Sequence, residues 1–119
     1  MYIKHYISIL ILSAILLLSC SKESMYTVYY KVEVQALDNT KPMETKIAYK
    51  KTGGLIYETI ATGAWSSSHE ARNGGNAFLR VYGIQNINSI NITVTVNNNK
   101  YSNTCNTLNC TTEIDQTVR

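Results

Sequence analysis

Ile90–Val96 reads INITVTV, and the alternation of apolar and polar residues in it decides the fold class. Successive side chains of an extended strand point to opposite faces. Ile90, Ile92, Val94 and Val96 therefore share one face, with Asn91, Thr93 and Thr95 on the other. Asn97, Asn98 and Asn99 follow as a turn, because asparagine tolerates the left-handed backbone region. KYSNTC, from Lys100, then returns as the partner strand.

The same period of two runs through the chain on either side. VYYKVEVQA places Val28, Tyr30, Val32, Val34 and Ala36 on one face, with Tyr29, Lys31, Glu33 and Gln35 opposite. TKIAYKKT turns Ile47 and Tyr49 inward, and GGLIYETIAT resumes after Gly53 and Gly54, a step that reads as a hairpin turn. AFLRVYGI sets Leu79 and Val81 against Phe78, Arg80 and Tyr82, and TTEIDQTV at the end adds an edge strand. SSSHEARNGG, from Ser66, reads as a polar, flexible loop that opens at most one helical turn. Trp65 then ends the strand before it, as a residue of the core or its rim. No stretch after residue 24 sustains a 3.6-residue period. Short strands at this spacing predict an all-β domain, a small antiparallel immunoglobulin-like β-sandwich of about seven strands. A small eight-stranded barrel is the alternative.

Ahead of the strands stand Lys4 and His5, then an apolar run from Ile7 to Leu18. A spanning helix needs about 20 apolar residues. This run of roughly a dozen suits the h-region of a secretory signal. Leu17-Leu18-Ser19-Cys20 resembles the lipobox of bacterial lipoproteins. That resemblance implies acylation of the Cys20 thiol and cleavage at its own amino group. The expected division is 1–19 signal peptide, 20–25 lipidated N-terminus and tether, and 26–119 sandwich domain. Each buried methylene of an acyl chain contributes about 0.8 kcal/mol, so two or three chains hold durably. Ser21 in place of aspartate implies outer-membrane sorting, periplasmic or surface-facing, and CSKES looks like the start of many Bacteroidota lipoproteins. For a Gram-positive source the outer face of the cytoplasmic membrane is the alternative.

Charge and cysteine usage narrow the classes further. The leader holds one of the eleven Lys and Arg and none of the eight acids, so residues 20–119 carry 10 − 8 = +2. That charge is too small, and the lysines too scattered, to predict nucleic acid as a partner. Only Lys50 and Lys51 adjoin, at a strand end, as a solvated turn would place them. With Cys20 spent on lipid, Cys105 and Cys110 remain as an even pair outside the cytoplasm, where disulfides persist. The expectation is a structural disulfide across a tight last hairpin, with free thiols as the alternative.

Catalytic patterns are missing. His69 is the one histidine after the leader, and its neighbour Glu70 points the other way on an extended chain. A zinc site needs three or four ligands. Ser66, Ser67 and Ser68 lack the Gly-x-Ser-x-Gly elbow, and no glycine-rich phosphate loop precedes a helix. The expectation is no enzyme and no cofactor.

Several stretches together are similar to the MmpS family of small membrane-anchored β-sandwich proteins. They are VYYKVEV as opening strand, KIAYKKTGG as a strand before a glycine turn, GAW at Gly63 to Trp65, NAFLRVYG, and INITVTVNNNKY. They span Val28 to Tyr101, with alanine where the family usually has proline before tryptophan. The resemblance implies an accessory role beside RND-type exporters. The expected function is therefore a lipid-anchored, non-enzymatic module that binds or braces another envelope protein. Two other classes remain: a small inhibitor of an envelope-targeting enzyme such as lysozyme, and a carbohydrate-binding or adhesive module. The first needs a protruding loop, for which WSSSHEARNGG is the candidate, and the second a row of exposed aromatic rings. Trp65, His69 and Arg72 are the binding candidates, and Tyr29 with Tyr57 a candidate outer aromatic patch.

Overall fold

The structure is a computed structural model that describes residues 25–119. The expected signal peptide, Cys20 and all of the expected tether except Met25, which falls in the first strand, lie outside the described residues. Eight strands follow one another: β1 Met25–Ala36, β2 Glu44–Lys50, β3 Ile56–Ala61, β4 Trp65–Arg72, β5 Asn76–Gln85, β6 Ile87–Val96, β7 Asn99–Cys105 and β8 Thr111–Thr117. They form two antiparallel four-stranded sheets, in the orders β4-β1-β6-β7 and β3-β2-β5-β8. The expected all-β sandwich is what forms, with eight strands where about seven were expected. Two separate sheets replace the barrel alternative. Strands β1 and β2 fall in opposite sheets, whereas the first two strands of a constant-type immunoglobulin domain share one.

The alternating rows meet between the sheets. Val28, Tyr30 and Val32 of β1 and Ile90, Ile92 and Val94 of β6 are fully buried. Against them lie Ile47 and Tyr49 of β2 and Ala77, Leu79 and Val81 of β5. Burying one such aliphatic side chain contributes roughly 1.5–3 kcal/mol. This core is what holds the sheets together.

The turns obey local chemistry. Asn97 and Asn98 both take positive φ between β6 and β7, and Gly53 and Gly54 do so between β2 and β3. Asn86, also at positive φ, reaches the loop after β1: its Nδ2 donates to the carbonyls of Asp38 and Lys41, and its Oδ1 accepts from the Asp38 amide.

Two expectations need correction. Ser66–Arg72 is no loop, because Trp65–Arg72 pairs with β1 from Val32↔Trp65 to Met25↔Arg72. Its inward residues are Trp65, Ser67, His69 and Ala71, so the apolar signal of the strand is weak. Trp65 opens this strand rather than ending β3, since Thr62, Gly63 and Ala64 carry the chain from one sheet to the other.

Cys105 and Cys110 do form a disulfide, with Cα atoms 6.2 Å apart. Its place differs from the expected hairpin. β7 and β8 are edge strands of different sheets, so the bond staples one sheet to the other. The staple packs on Gly83, whose amide donates to the Cys110 carbonyl at 2.8 Å. A Cβ at Gly83 would stand 2.7 Å from the Asn109 Cα, closer than side chains allow. Asn109 completes the corner by exchanging hydrogen bonds with Ile87. Replacing both Cys105 and Cys110 by alanine is expected to cost about 2 kcal/mol, the chain entropy of so short a loop. A lower urea midpoint at unchanged slope would register that loss.

Candidate functional site

The residues singled out in the sequence divide between two places. Trp65 and His69 sit four apart on the inward face of β4, and both enter an aromatic seam along the β3–β4 side of the sandwich. The Trp65 ring centre lies 4.8 Å from that of Tyr49, and His69 lies 4.8 Å from Tyr30. Tyr49 is 6.1 Å from Tyr30 edge-on and 6.3 Å from Tyr57. Trp65 is thus a half-buried rim residue of the core. Arg72 has the opposite parity on β4 and is exposed.

Tyr30 is the seam residue that organises its neighbours, and sequence reading placed it only as one more inward side chain. Its register runs beyond its own sheet. The β2–β5 ladder ends at Tyr49↔Leu79. One step further, the direct bond from the Phe78 amide to the Lys50 carbonyl gives way to the Tyr30 hydroxyl. That hydroxyl accepts from the Phe78 N–H at 3.1 Å and donates to the Lys50 carbonyl at 3.1 Å. Burial pushes the phenol up to about 12, so it keeps its proton. His69 is shifted the other way: burial first, then the positive field of Lys51, holds it below the ordinary imidazole range. Its Nδ1 is buried without a partner. The neutral ring behaves as a packing aromatic, not as an acid or base aimed at solvent.

Lys51 links this seam to a second feature. Its Nζ stands 4.5 Å from the Tyr57 ring centre and 5.7 Å from that of Tyr49. Beyond the last β2–β5 pair a groove of about 710 Å³ opens, lined by Met25, Lys50, Lys51, Gly54, Arg72 and Asn76 among others. Thr52 closes one wall by donating its Oγ1 proton to the Glu70 carbonyl at 2.8 Å.

The outer faces contrast with both features. Tyr29 lies on the outer face of β1 and Tyr57 on β3 of the other sheet, so they form no common patch. On β5, Phe78 and Tyr82 flank Arg80, whose guanidinium lies 5.3 and 5.9 Å from their ring centres. Arg80 also donates to the Tyr82 hydroxyl and to Glu113. These rings are covered by a cation rather than open to a sugar.

The remaining surface feature is β3. Among the described residues it is an edge strand, paired with β2 alone, and it exposes Tyr57 at 42 % and Ile60 at 54 %. Among the described residues, no three His, Cys, Asp or Glu side chains converge as a metal site. No protein-family model and no curated protein matches the chain.

Trp65 is the chain's one tryptophan, which makes the seam measurable. Its emission is expected to be blue-shifted and poorly quenched by iodide. Trp65→Ala is expected to cost about 3 kcal/mol, the low end for a large aromatic truncation because the ring is half-buried. Emission like that of indole in water, with an unchanged unfolding midpoint, would place Trp65 outside the seam.

Proposed function

We propose that this chain is a lipid-anchored, non-enzymatic envelope protein whose sandwich binds or braces another envelope protein. The observation that carries the binding reading is the outer edge of β3, which no other described strand covers. An unpaired strand edge offers a row of N–H and C=O groups to a partner strand. Proteins usually blunt such an edge with lysine, proline or a bulge. Ile56–Ala61, IYETIA, contains no lysine or proline, and it pairs with β2 residue for residue without a bulge. Tyr57 and Ile60 add the apolar contacts that give such pairing its affinity.

Anchoring rests on the leader and the Leu17–Cys20 boundary. The MmpS resemblance makes an RND-type exporter the first partner to test. An inhibitor would need a protruding plug, and the stretch available for it is strand β4 in register with β1. A glycan platform would need open rings, and those of Phe78 and Tyr82 lie under Arg80. Both observations favour the binding-and-bracing reading.

One experiment addresses anchor and edge together. Cells fed a clickable fatty acid express tagged wild type, Cys20→Ala and Ile60→Glu, and each chain is pulled from solubilised envelopes. Wild type and Ile60→Glu are expected to carry the fatty acid, and Cys20→Ala to remain an unlabelled, uncut precursor. An envelope protein held by wild type is expected to be lost from Ile60→Glu. Label on Cys20→Ala would refute the anchor, and equal capture by Ile60→Glu would refute the edge.

A further inference from the structure

The two ends of the sandwich differ in charge. One end gathers the start of β1, the β2–β3, β4–β5 and β6–β7 turns, and the end of β8. Here stand Lys50, Lys51, Arg72 and Lys100, with Arg119 two residues past β8. These are five of the nine Lys and Arg in residues 25–119. The turns themselves hold no Asp or Glu; Glu58, Glu70 and Asp115 each stand two residues inside their strands. Away from this end the cations stand beside acids: Lys31 by Glu33, Lys46 by Glu58, Arg80 by Glu113 and Lys41 by Asp38.

Exposed apolar side chains accompany this charge. Leu55, at the β2–β3 turn, is 63 % exposed, and Ile56 next to it and Met25 at the start of β1 are exposed too. Cations interspersed with apolar side chains suit the boundary between phospholipid headgroups and acyl chains. The chain's own connectivity supplies the third argument. Met25 begins β1 at this end, five residues after Cys20, and five extended residues reach at most about 18 Å. The turns that carry the cations are therefore the part of the domain nearest the anchor.

We infer that this basic end lies on the bilayer that anchors the chain, with Lys50, Lys51 and Lys100 against anionic phospholipid headgroups and Leu55 entering the interface. The inference rests on the proposed anchoring at Cys20 for the orientation, and on the described residues for the surface. Docked this way, the domain stands with its strands away from the membrane, and Asp38, Lys41 and the Cys105–Cys110 staple form its distal end. The edge of β3 is then presented sideways to a membrane-embedded partner.

The test uses the full chain, purified from envelopes and reconstituted into vesicles. One set is phosphatidylcholine alone, and the other contains about one third phosphatidylglycerol. A water-soluble amine-acylating reagent is added, and labelling is read lysine by lysine by mass spectrometry. Lys50, Lys51 and Lys100 are expected to be protected about threefold or more in the anionic vesicles, with Lys41 unchanged as the distal reference. High salt is expected to abolish the protection, because screening shortens the reach of the headgroup charge to about 3 Å at 1 M. Equal labelling in both vesicles, or protection that neutral lipid and high salt leave unchanged, would overturn the inference.

The intact mass of the same sample reports acylation of Cys20. An acylated chain without lysine protection removes the basic face and keeps the anchor. An unacylated chain that still shows anionic protection does the reverse.

Discussion

The phenol hydroxyl of Tyr30, whose ring is fully buried, joins the two sheets by part-buried hydrogen bonds. It interrupts the β2–β5 ladder by standing between the Phe78 amide and the Lys50 carbonyl. A buried, unpaired backbone group costs about 1–3 kcal/mol, so the place must be filled. Filling it from the opposite sheet fixes the spacing of the sheets at this point. It also sets the register of β1 against β2 and β5. The ring meanwhile packs against Tyr49 and His69, which carries the same constraint into β4.

The groove at the basic end follows from this arrangement. The β2–β5 ladder stops at Tyr49↔Leu79 while Lys50 still pairs with Ile56 of β3, and Lys50 and Lys51 line the groove together with Met25 and Arg72. Lys51 then lies over Tyr57, which keeps its ammonium at the corner shared by the groove and the β3 edge. The far corner is built differently, by the Cys105–Cys110 staple on Gly83 and by the side chain of Asn86. One end is cross-linked by the disulfide, with Lys41 beside Asp38. The other is basic, carries exposed apolar residues, and holds the start of β1 at Met25. Under the proposed function, the basic end is the side assigned to the membrane and the β3 edge the side assigned to the partner.

Much of the fold was legible because the strands of the core alternate plainly. Val28 to Val32, Leu79 to Val81 and Ile90 to Val96 each declare their inward face, and the asparagine and glycine turns mark their ends. β4 was not legible, since Trp65, Ser67, His69 and Ala71 form a mixed row that burial alone does not define. Pairing with β1 makes it a strand, and that is a tertiary fact. Once it is a strand, parity separates Arg72 from Trp65 and His69. The disulfide followed from cysteine count, but its path between sheets did not, because a five-residue separation fits a hairpin and a crossover equally. Tyr30 stood in a row of valines as one more apolar body. Nothing in the sequence said that its hydroxyl would complete the ladder of the other sheet.

Amide hydrogen exchange at Phe78 tests that role most directly. In the wild type the Phe78 N–H is expected to exchange slowly, like its ladder-bonded neighbours. In Tyr30→Phe its protection should fall well beyond the global loss of stability, while the amides of the β1–β6 ladder lose only that global amount. In the same variant, stability should no longer show the wild-type decline as pH rises through 10 toward about 12, where the unfolded phenol ionises and the buried one does not. Phe78 exchange that changes no more than the rest of the chain would contradict the account.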